Sequence, residues 1–509
     1  MKLRTPEYDL QKQYDLAVIG GGIYGAWTAY EASRRGYQVV LLEQNDFACG
    51  TSSQSSKLVH GGLRYLEHGH LGLVRKSVRE RANLLNLGPH RVWPLRFMVP
   101  LYQGGRWKSP SLKLGLMVYD LFTWGVEHRF APHQNHRHHS RAELAEQFPH
   151  LKQSGLKSAY SYEDAQTDDA RLTLEVILGA EGAGAHIFNH HRVLAVDIGK
   201  TQHGLYLENQ TGESLEVHAR TVLNAAGPWM PQVSGGMIER EQLAMTKGVH
   251  LVLAELPLRD TAFLLLHPQD GRVFFVIPWQ SRTLVGTTDT FVKGDVLEVR
   301  PEDADEHYLL EGLNHHFDFG DQVKVCNRFC GIRVLQRQLG KGPSALSREW
   351  IASELAKGYF VSIGGKLTTA RVDAQSLVDK VGYRCKPNEK CERNAALPWA
   401  PENFPIFLRS VQEQGQSLGL DSGQILSLLR RYGRHVLDIY ERIQNDAAAG
   451  QRLDPELPFC RAELDQALER EYAMTFDDLF ERRVPLLKLG GTVPDQDKWK
   501  GLFLKGFAS

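Results

Sequence analysis

Residues 14–46 read YDLAVIGGGIYGAWTAYEASRRGYQVVLLEQND. A short apolar run ends in a cluster of glycines, a stretch free of Gly and Pro follows from Ala26 to Arg35, and a second apolar run closes on Glu43. This order predicts strand, glycine turn, helix and strand, a βαβ unit that commits the chain to a parallel sheet. The glycines stand at Gly20, Gly22 and Gly25, a GxGxxG between strand and helix. Gly20 permits the sharp turn, Gly22 lets a pyrophosphate approach the backbone, and Gly25 lets the helix pack closely on the strand. The positive end of the helix then meets the phosphate charge. Glu43 suits the ribose hydroxyls of an adenosine and repels a 2′-phosphate, which favours FAD or NAD over NADP.

Working outward, 509 residues imply roughly three domains or one elaborate discontinuous one. The 60 Lys+Arg are balanced by 60 Asp+Glu, which excludes a polyanion binder driven by bulk charge and gives no reason to expect nucleic acid. Six cysteines, at 49, 326, 330, 385, 391 and 460, form no CxxC pair. A reduced, cytoplasmic setting is expected, with no metal site. The first thirteen residues, MKLRTPEYDLQKQ, read as a polar extension and not a signal peptide. No apolar run is long enough to span a bilayer, so any membrane contact is expected to be peripheral.

Further strands are expected at 221–229, 249–256, 272–279, 282–289 and 359–365. The middle ones follow one another without intervening helices, as in an antiparallel sheet. Beyond about residue 395, GQILSLLRRYGRHVLDIYERIQNDA and RAELDQALEREYAMTFDDLFERR carry apolar residues three and four apart, which predicts a helical tail.

The stretch 49–85, CGTSSQSSKLVHGGLRYLEHGHLGLVRKSVRERANLL, is more specific than GxGxxG. With YEDAQTDDARL (162–172), NAAGPW (224–229), KGVH (247–250), FVIPW (275–279), GTTDT (286–290), GIR (331–333), GGKLTT (364–369) and EYAMTFDDLFERR (471–483), it resembles the aerobic, FAD-dependent glycerol-3-phosphate dehydrogenase family. That family lies within the flavoproteins that include the D-amino acid oxidases. The resemblance implies an α/β and α+β fold in three parts. These are a Rossmann-like FAD-binding domain (14–240 and 350–385, with inserted substrate-domain segments), an antiparallel-sheet substrate domain (mainly 241–349) and an all-helical C-terminal domain (395–509).

Carried over by the match, Gly20, Gly22, Gly25 and Glu43 hold the ADP half of FAD. Thr51, Ser52, Ser53, Ser56, Lys57, His60, Gly61 and Gly62 run past the flavin, and Gly227, Gly365, Lys366, Leu367 and Thr368 complete the cofactor set. A buried isoalloxazine needs such hydroxyls and backbone N–H groups for its carbonyls and ring nitrogens. The implied reaction oxidises sn-glycerol 3-phosphate to dihydroxyacetone phosphate, a hydride leaving for flavin N5 and a proton leaving the hydroxyl. His250 is assigned as the base. Arg333, the strongest phosphate candidate, is grouped with it, and Arg64, Tyr65, Arg348 and Lys366 are assigned to the phosphorylated polyol substrate.

Members of the family pass electrons to quinone or to oxygen, and quinone at the inner face of the cytoplasmic membrane is the expected acceptor. Residues 91–130 mix Arg96, Arg106, Lys108 and Lys113 with Trp107, Leu114, Leu116, Met117, Leu121, Phe122 and Trp124, which suits either an anionic membrane surface or a helix against the core. The histidines at 128, 133, 136, 138 and 139 read as a solvated, pH-responsive loop. A homodimer is left open. One departure from the family pattern, the basic run Val334 to Lys341 where proline and acidic residues are common, keeps a second reading alive: the same flavin chemistry on another small phosphorylated or anionic hydroxy compound. A third is a non-enzymatic, membrane-associated flavoprotein. Retention of His250, Arg64, Arg333 and Lys366 together speaks against it.

Overall fold

The structure, a computed structural model, describes Arg4, Leu10 and residues 12–67, 69–126, 129–130, 133–382 and 391–506. The two apolar runs of the opening stretch are the strands Gln13–Ile19 and Val39–Leu42, joined by the helix Ile23–Arg34. They pair in parallel, with Leu16 opposite Val39. Ser214–Asn224 lies parallel on the other side, with Ala17 opposite Val222, and Tyr359–Ile363 and His186–Phe188 extend the parallel part outward. Both faces must be covered in such a sheet, which is why Val39–Leu42 is unbroken Val and Leu and the paired segment from Leu16 to Ile19 is wholly apolar. Helices Ile23–Arg34, Asp169–Gly182 and Ala370–Val381 cover one face through Ala26, Leu172, Ile177 and Leu377, all buried.

A second, ten-stranded sheet is built around Leu243–Ala254. That strand pairs antiparallel with Val325–Gln336, setting Lys247 opposite Ile332, and with Arg282–Gly286, setting His250 opposite Gly286. One pairing departs from the antiparallel expectation: Thr261–Leu266 runs parallel to Val92–Tyr102. The sheet is assembled there from two distant stretches of chain, and residues before 240 supply Leu58–Val59, Val92–Tyr102, Arg137–Ser140 and Leu156–Thr167 to it.

The segment 91–130 divides in two. Val92–Tyr102 is a mostly buried strand, although Pro94 and Pro100 argue against one by composition. Its parallel pairing covers only Arg96 to Met98, so both prolines lie where no ladder hydrogen bond is lost on that side. The remainder is the helix Ser109–Thr123, with Leu112, Leu116 and Tyr119 buried and Leu114, Met117 and Leu121 exposed, and Trp124 just beyond it 81% exposed. The histidine loop is not simply solvated. His136 Nδ1 lies 2.6 Å from Asp120, His133 sits between Asp120 and Glu163, and His139 reaches Ser161 at 2.8 Å. His128 falls outside the described residues.

The tail forms helices Phe404–Ser417, Ser422–Tyr432, Val436–Asn445, Ala462–Arg470 and Gln496–Gly506. Its first part has a core of its own around Leu428 and Ile439. Its second part does not stand apart: Leu479, Phe480 and Leu486 share one core with Phe97, Tyr162 and Phe329 of the second sheet. Charge reinforces the join. Glu471 holds Arg171 in a bidentate pair at 2.6 and 2.8 Å, and Arg483 holds Asp46 at 2.6 and 2.7 Å, with all four side chains buried. Among the described residues, no helix is long and apolar enough to cross a membrane.

Candidate functional site

The GxGxxG turn opens into a cleft lined by Gly20, Gly22, Glu43, Thr51, Ser52, Gly227, Gly365, Lys366 and Leu367. Gly25 lines nothing but is needed: a Cβ there would lie 2.0 Å from the Gly20 carbonyl oxygen. The helix therefore presses directly on the turn that shapes the cleft. Gly25→Val is expected to cost stability and cofactor together, measured as a lowered melting temperature and reduced flavin absorbance of the purified protein.

The Glu43 carboxylate is fixed by the N–H groups of Gly21 at 2.6 Å and Asn45 at 2.9 Å, and burial raises its pKa against these hydrogen bonds. Helix Ile23–Arg34 starts at the cleft with Gly22, which has no side chain of its own to cap the turn, in its N-cap position, so the positive end of the helix faces the space. A pyrophosphate with an adenosine ribose fits this lining. Thr51 and Ser52 are committed to protein contacts, Thr51 Oγ1 donating to the Ile332 carbonyl at 2.6 Å and Ser52 Oγ accepting from Ile23 N–H at 2.9 Å.

A second cavity, of about 150 Å³, is lined by Ser56, His60, Gly62, Tyr65, Arg333 and Arg348, among others. Arg333 and Arg348 line the first cleft as well, so the two spaces meet at these guanidinium groups. Both grip Asp289 at 3.2 Å, one on each carboxylate oxygen. Burial pushes Asp289 up, but Arg333 and Arg348 outweigh it and hold its carboxyl below the usual range. Arg348 Nη1 is buried without a hydrogen-bond partner among the described residues. Lys366 Nζ lies 3.9 Å above the Tyr65 ring and 3.4 Å from Ser77 Oγ. Arg64 opens the short helix Arg64–Glu67, and its side chain lies outside the described residues.

Several assigned residues line neither space. Lys57 is buried in an ion pair with Asp169 at 2.5 Å and donates to the Ser53 carbonyl at 2.6 Å. A charge so enclosed needs its partner and cannot also face a flavin. Ser53 is buried beside it. Gly61 N–H donates to Tyr119 at 2.8 Å, and Thr368 ties the His60 backbone at 3.0 Å. These four position the loop from behind. The basic run ends remotely: Arg337 donates to the Glu241 carbonyl, Leu339 is 93% exposed, and nothing from Gln336 to Lys341 lines either space.

His250 is 2% exposed and also lines neither space, its ring stacked on Phe329 at 5.0 Å and 17°. Burial first, then the cations Arg333, Lys57 and Lys488, hold its pKa well below the ordinary histidine value. Lys488 comes from the tail: its Nζ lies 4.7 Å over Phe329 and 2.9 Å from Gln54 Oε1, and burial with the charge of Lys57 pushes it down to about 7. Two residues escaped the sequence reading. Lys488 stands outside every motif, while Arg272, which lines the second cavity and donates to the Asp289 carbonyl at 2.9 Å, opens the run RVFFVIPW. A cation at the mouth of a strand that enters the site was the available signal.

Residues 15–371 match the family model described as FAD dependent oxidoreductase, and residues 406–492 match the C-terminal domain of alpha-glycerophosphate oxidase. The chain is 35% identical over 493 residues to the aerobic glycerol-3-phosphate dehydrogenase of Staphylococcus haemolyticus, covering 93% of this chain and 86% of that one. It is 34% identical to the Staphylococcus aureus USA300 protein of the same name, covering 92% and 86%. Among solved structures, the Bacillus halodurans glycerol-3-phosphate dehydrogenase complexed with FAD is similar with a TM-score of 0.73 and 28% identity, covering 97% of this chain and 95% of that one. With the nucleotide turn, the joined cavities and the interlocked tail in place, this chain belongs to the FAD-dependent oxidoreductases, in the family of the aerobic glycerol-3-phosphate dehydrogenases.

Proposed function

We propose that this protein oxidises sn-glycerol 3-phosphate to dihydroxyacetone phosphate with FAD as its cofactor. The observation that carries the reading is the unmet buried donor of Arg348, set beside Arg333 where the two spaces join. A buried N–H without an acceptor is costly, and a phosphate oxygen supplies one with charge assistance. Asp289 holds the two guanidinium groups from one side, which leaves their orientation fixed before an anion arrives. Arg272, with Asp270 at 3.0 Å, adds a third guanidinium to the lining.

Glu43, the Gly20–Gly22 turn, Gly227 and Gly365 to Leu367 would hold FAD, which supplies the hydride acceptor when bound. His250, kept neutral, takes the hydroxyl proton. Anaerobic glycerol 3-phosphate is expected to bleach the yellow protein, and a panel of polyol phosphates to rank below it. Yellow protein that does not bleach would remove the substrate and leave the cofactor. The alternative substrate rested on the basic run after Arg333; Val334 and Leu335 line the cofactor cleft, and no residue of the run lines the second cavity.

The proposal extends to quinone as acceptor at a membrane face. Its support is the outward ridge of Leu114, Met117, Leu121 and Trp124, an apolar stripe on one helix side with Lys108 and Lys113 nearby. The double substitution Leu121→Asp, Trp124→Ser is expected to cut co-sedimentation with anionic vesicles at least about tenfold while bleaching by substrate is kept, since each buried apolar side chain contributes about 1.5–3 kcal/mol. Unchanged sedimentation would place any membrane contact elsewhere.

A further inference from the structure

We propose that Ser56 is a catalytic residue that carries the proton from the substrate hydroxyl to His250. The proposal rests on His250 as the base and changes how the base is reached.

The imidazole is shut away from the cavity on both faces. Phe329 stacks on one side, and on the opposing strand a Cβ at Gly286 would lie 2.3 Å from His250 Cδ2. A ring packed this tightly cannot swing outward without moving two strands of the central sheet. Its Nδ1 is buried with no hydrogen-bond partner among the described residues, and its Nε2 lies 2.8 Å from Ser56 Oγ. Ser56 lines the cavity and His250 does not. The serine hydroxyl is therefore the group through which the histidine meets the space where Arg333 and Arg348 await an anion.

Chemically the step balances without a further reagent. The substrate hydroxyl passes its proton to Ser56 Oγ as Ser56 passes its own to His250 Nε2. FAD, when bound, would accept the C–H electron pair as hydride; the C–O bond then becomes a carbonyl, and Ser56 ends as it began. His250 ends protonated, and its Nδ1–H tautomer is the one that leaves Nε2 free to accept. The charged groups acting on His250 are Arg333 from the cavity side, Lys57 with its partner Asp169, and Lys488 from the tail, the last itself influenced by Glu481 and Arg482. The nearest cations disfavour imidazolium, so the proton is held only transiently. His60, which lines the cavity directly, is the competing acceptor.

The test is the rate of anaerobic flavin reduction by glycerol 3-phosphate in the holoenzyme for wild type, Ser56→Ala, His250→Ala and the double variant. Flavin absorbance and thermal melts check each for cofactor and folding. Each single substitution is expected to slow reduction about 10²-fold or more, and the double to be no slower than the worse single by more than about threefold, because two groups in series fail together. Losses that multiply, or a Ser56→Ala rate within about threefold of wild type, would overturn the relay. A slow His250→Ala beside a wild-type Ser56→Ala would do so while leaving His250 as base. An unimpaired His250→Ala would sink both and point to His60.

A second measurement separates proton transfer from ligand holding. The product dihydroxyacetone phosphate has no hydroxyl proton at the reacting carbon, so calorimetric binding to Ser56→Ala is expected within about threefold of wild type. A loss of affinity as large as the loss of rate would make Ser56 a binding residue and overturn the proposal. Should Ser56→Ala fold poorly, Ser56→Gly gives the same readings.

Discussion

Replacing His250 with Ala is expected to lower turnover by about 10²–10⁴ while FAD stays bound, the usual range for losing a general acid–base group. Retention of the cofactor follows from position. His250 lines neither the cofactor cleft nor the substrate cavity, so its removal opens a small void behind Ser56 and disturbs no cofactor-lining side chain. The pH dependence has a definite sign. Burial, followed by Arg333, Lys57 and Lys488, lowers the pKa of the ring, so the neutral, accepting form persists as pH falls below the ordinary value of about 6.5. The acid limb of kcat is expected below that value. A limb at or above about 6.5, or a His250→Ala enzyme with wild-type turnover, would place the base elsewhere.

Replacing Glu471 with Leu is expected to destabilise the protein by about 3–5 kcal/mol, read as a shift in the denaturant midpoint. The pair with Arg171 is bidentate and fully buried, and removing the carboxylate strands a guanidinium left with the Arg431 carbonyl and the Tyr432 and Trp399 rings in place of its counter-charge. Burial alone would raise Glu471, yet Arg171, with Arg483 and Arg431, holds its pKa below the usual range. A depressed folded-state pKa stabilises above the unfolded value of about 4.3 and loses that contribution as pH falls through the folded one. Wild type should therefore weaken more steeply on acidification below about pH 4.3 than Glu471→Leu. Parallel acid profiles would show that the pair contributes nothing.

What could be read from the chain depended on whether a rule was local. The turn at Gly20 to Gly25 and the strands around it obey short-range geometry, and the amphipathic tail helices obey a period, so both were visible. Val92–Tyr102 was not, because two prolines mask a strand whose tolerance for them depends on a partner 165 residues away, as in Arg96 opposite Thr261. At the site, charge and motif picked out Arg333, Arg348 and Lys366. Motif could not separate residues that face the cavity from those that brace it. Lys57 and Ser56 are neighbours in one polar run, yet one is buried against Asp169 and the other opens on the cavity. Nor could motif find Lys488, whose place behind Phe329 is decided by how the tail docks.

The grip of Arg482 and Arg483 on Asp46 has a consequence in time. Asp46 lies just beyond Glu43 and is among the first residues of the nucleotide-binding unit to be synthesised, whereas its ion partners follow more than four hundred residues later. Until they arrive, a carboxylate destined for burial has no cation and must stay hydrated, which keeps the adjoining loop open. The nucleotide-binding unit, first in the chain, is thus among the last parts to close. A ribosome-bound chain halted before the tail should remain sensitive to protease around this loop even where its first strands have already paired.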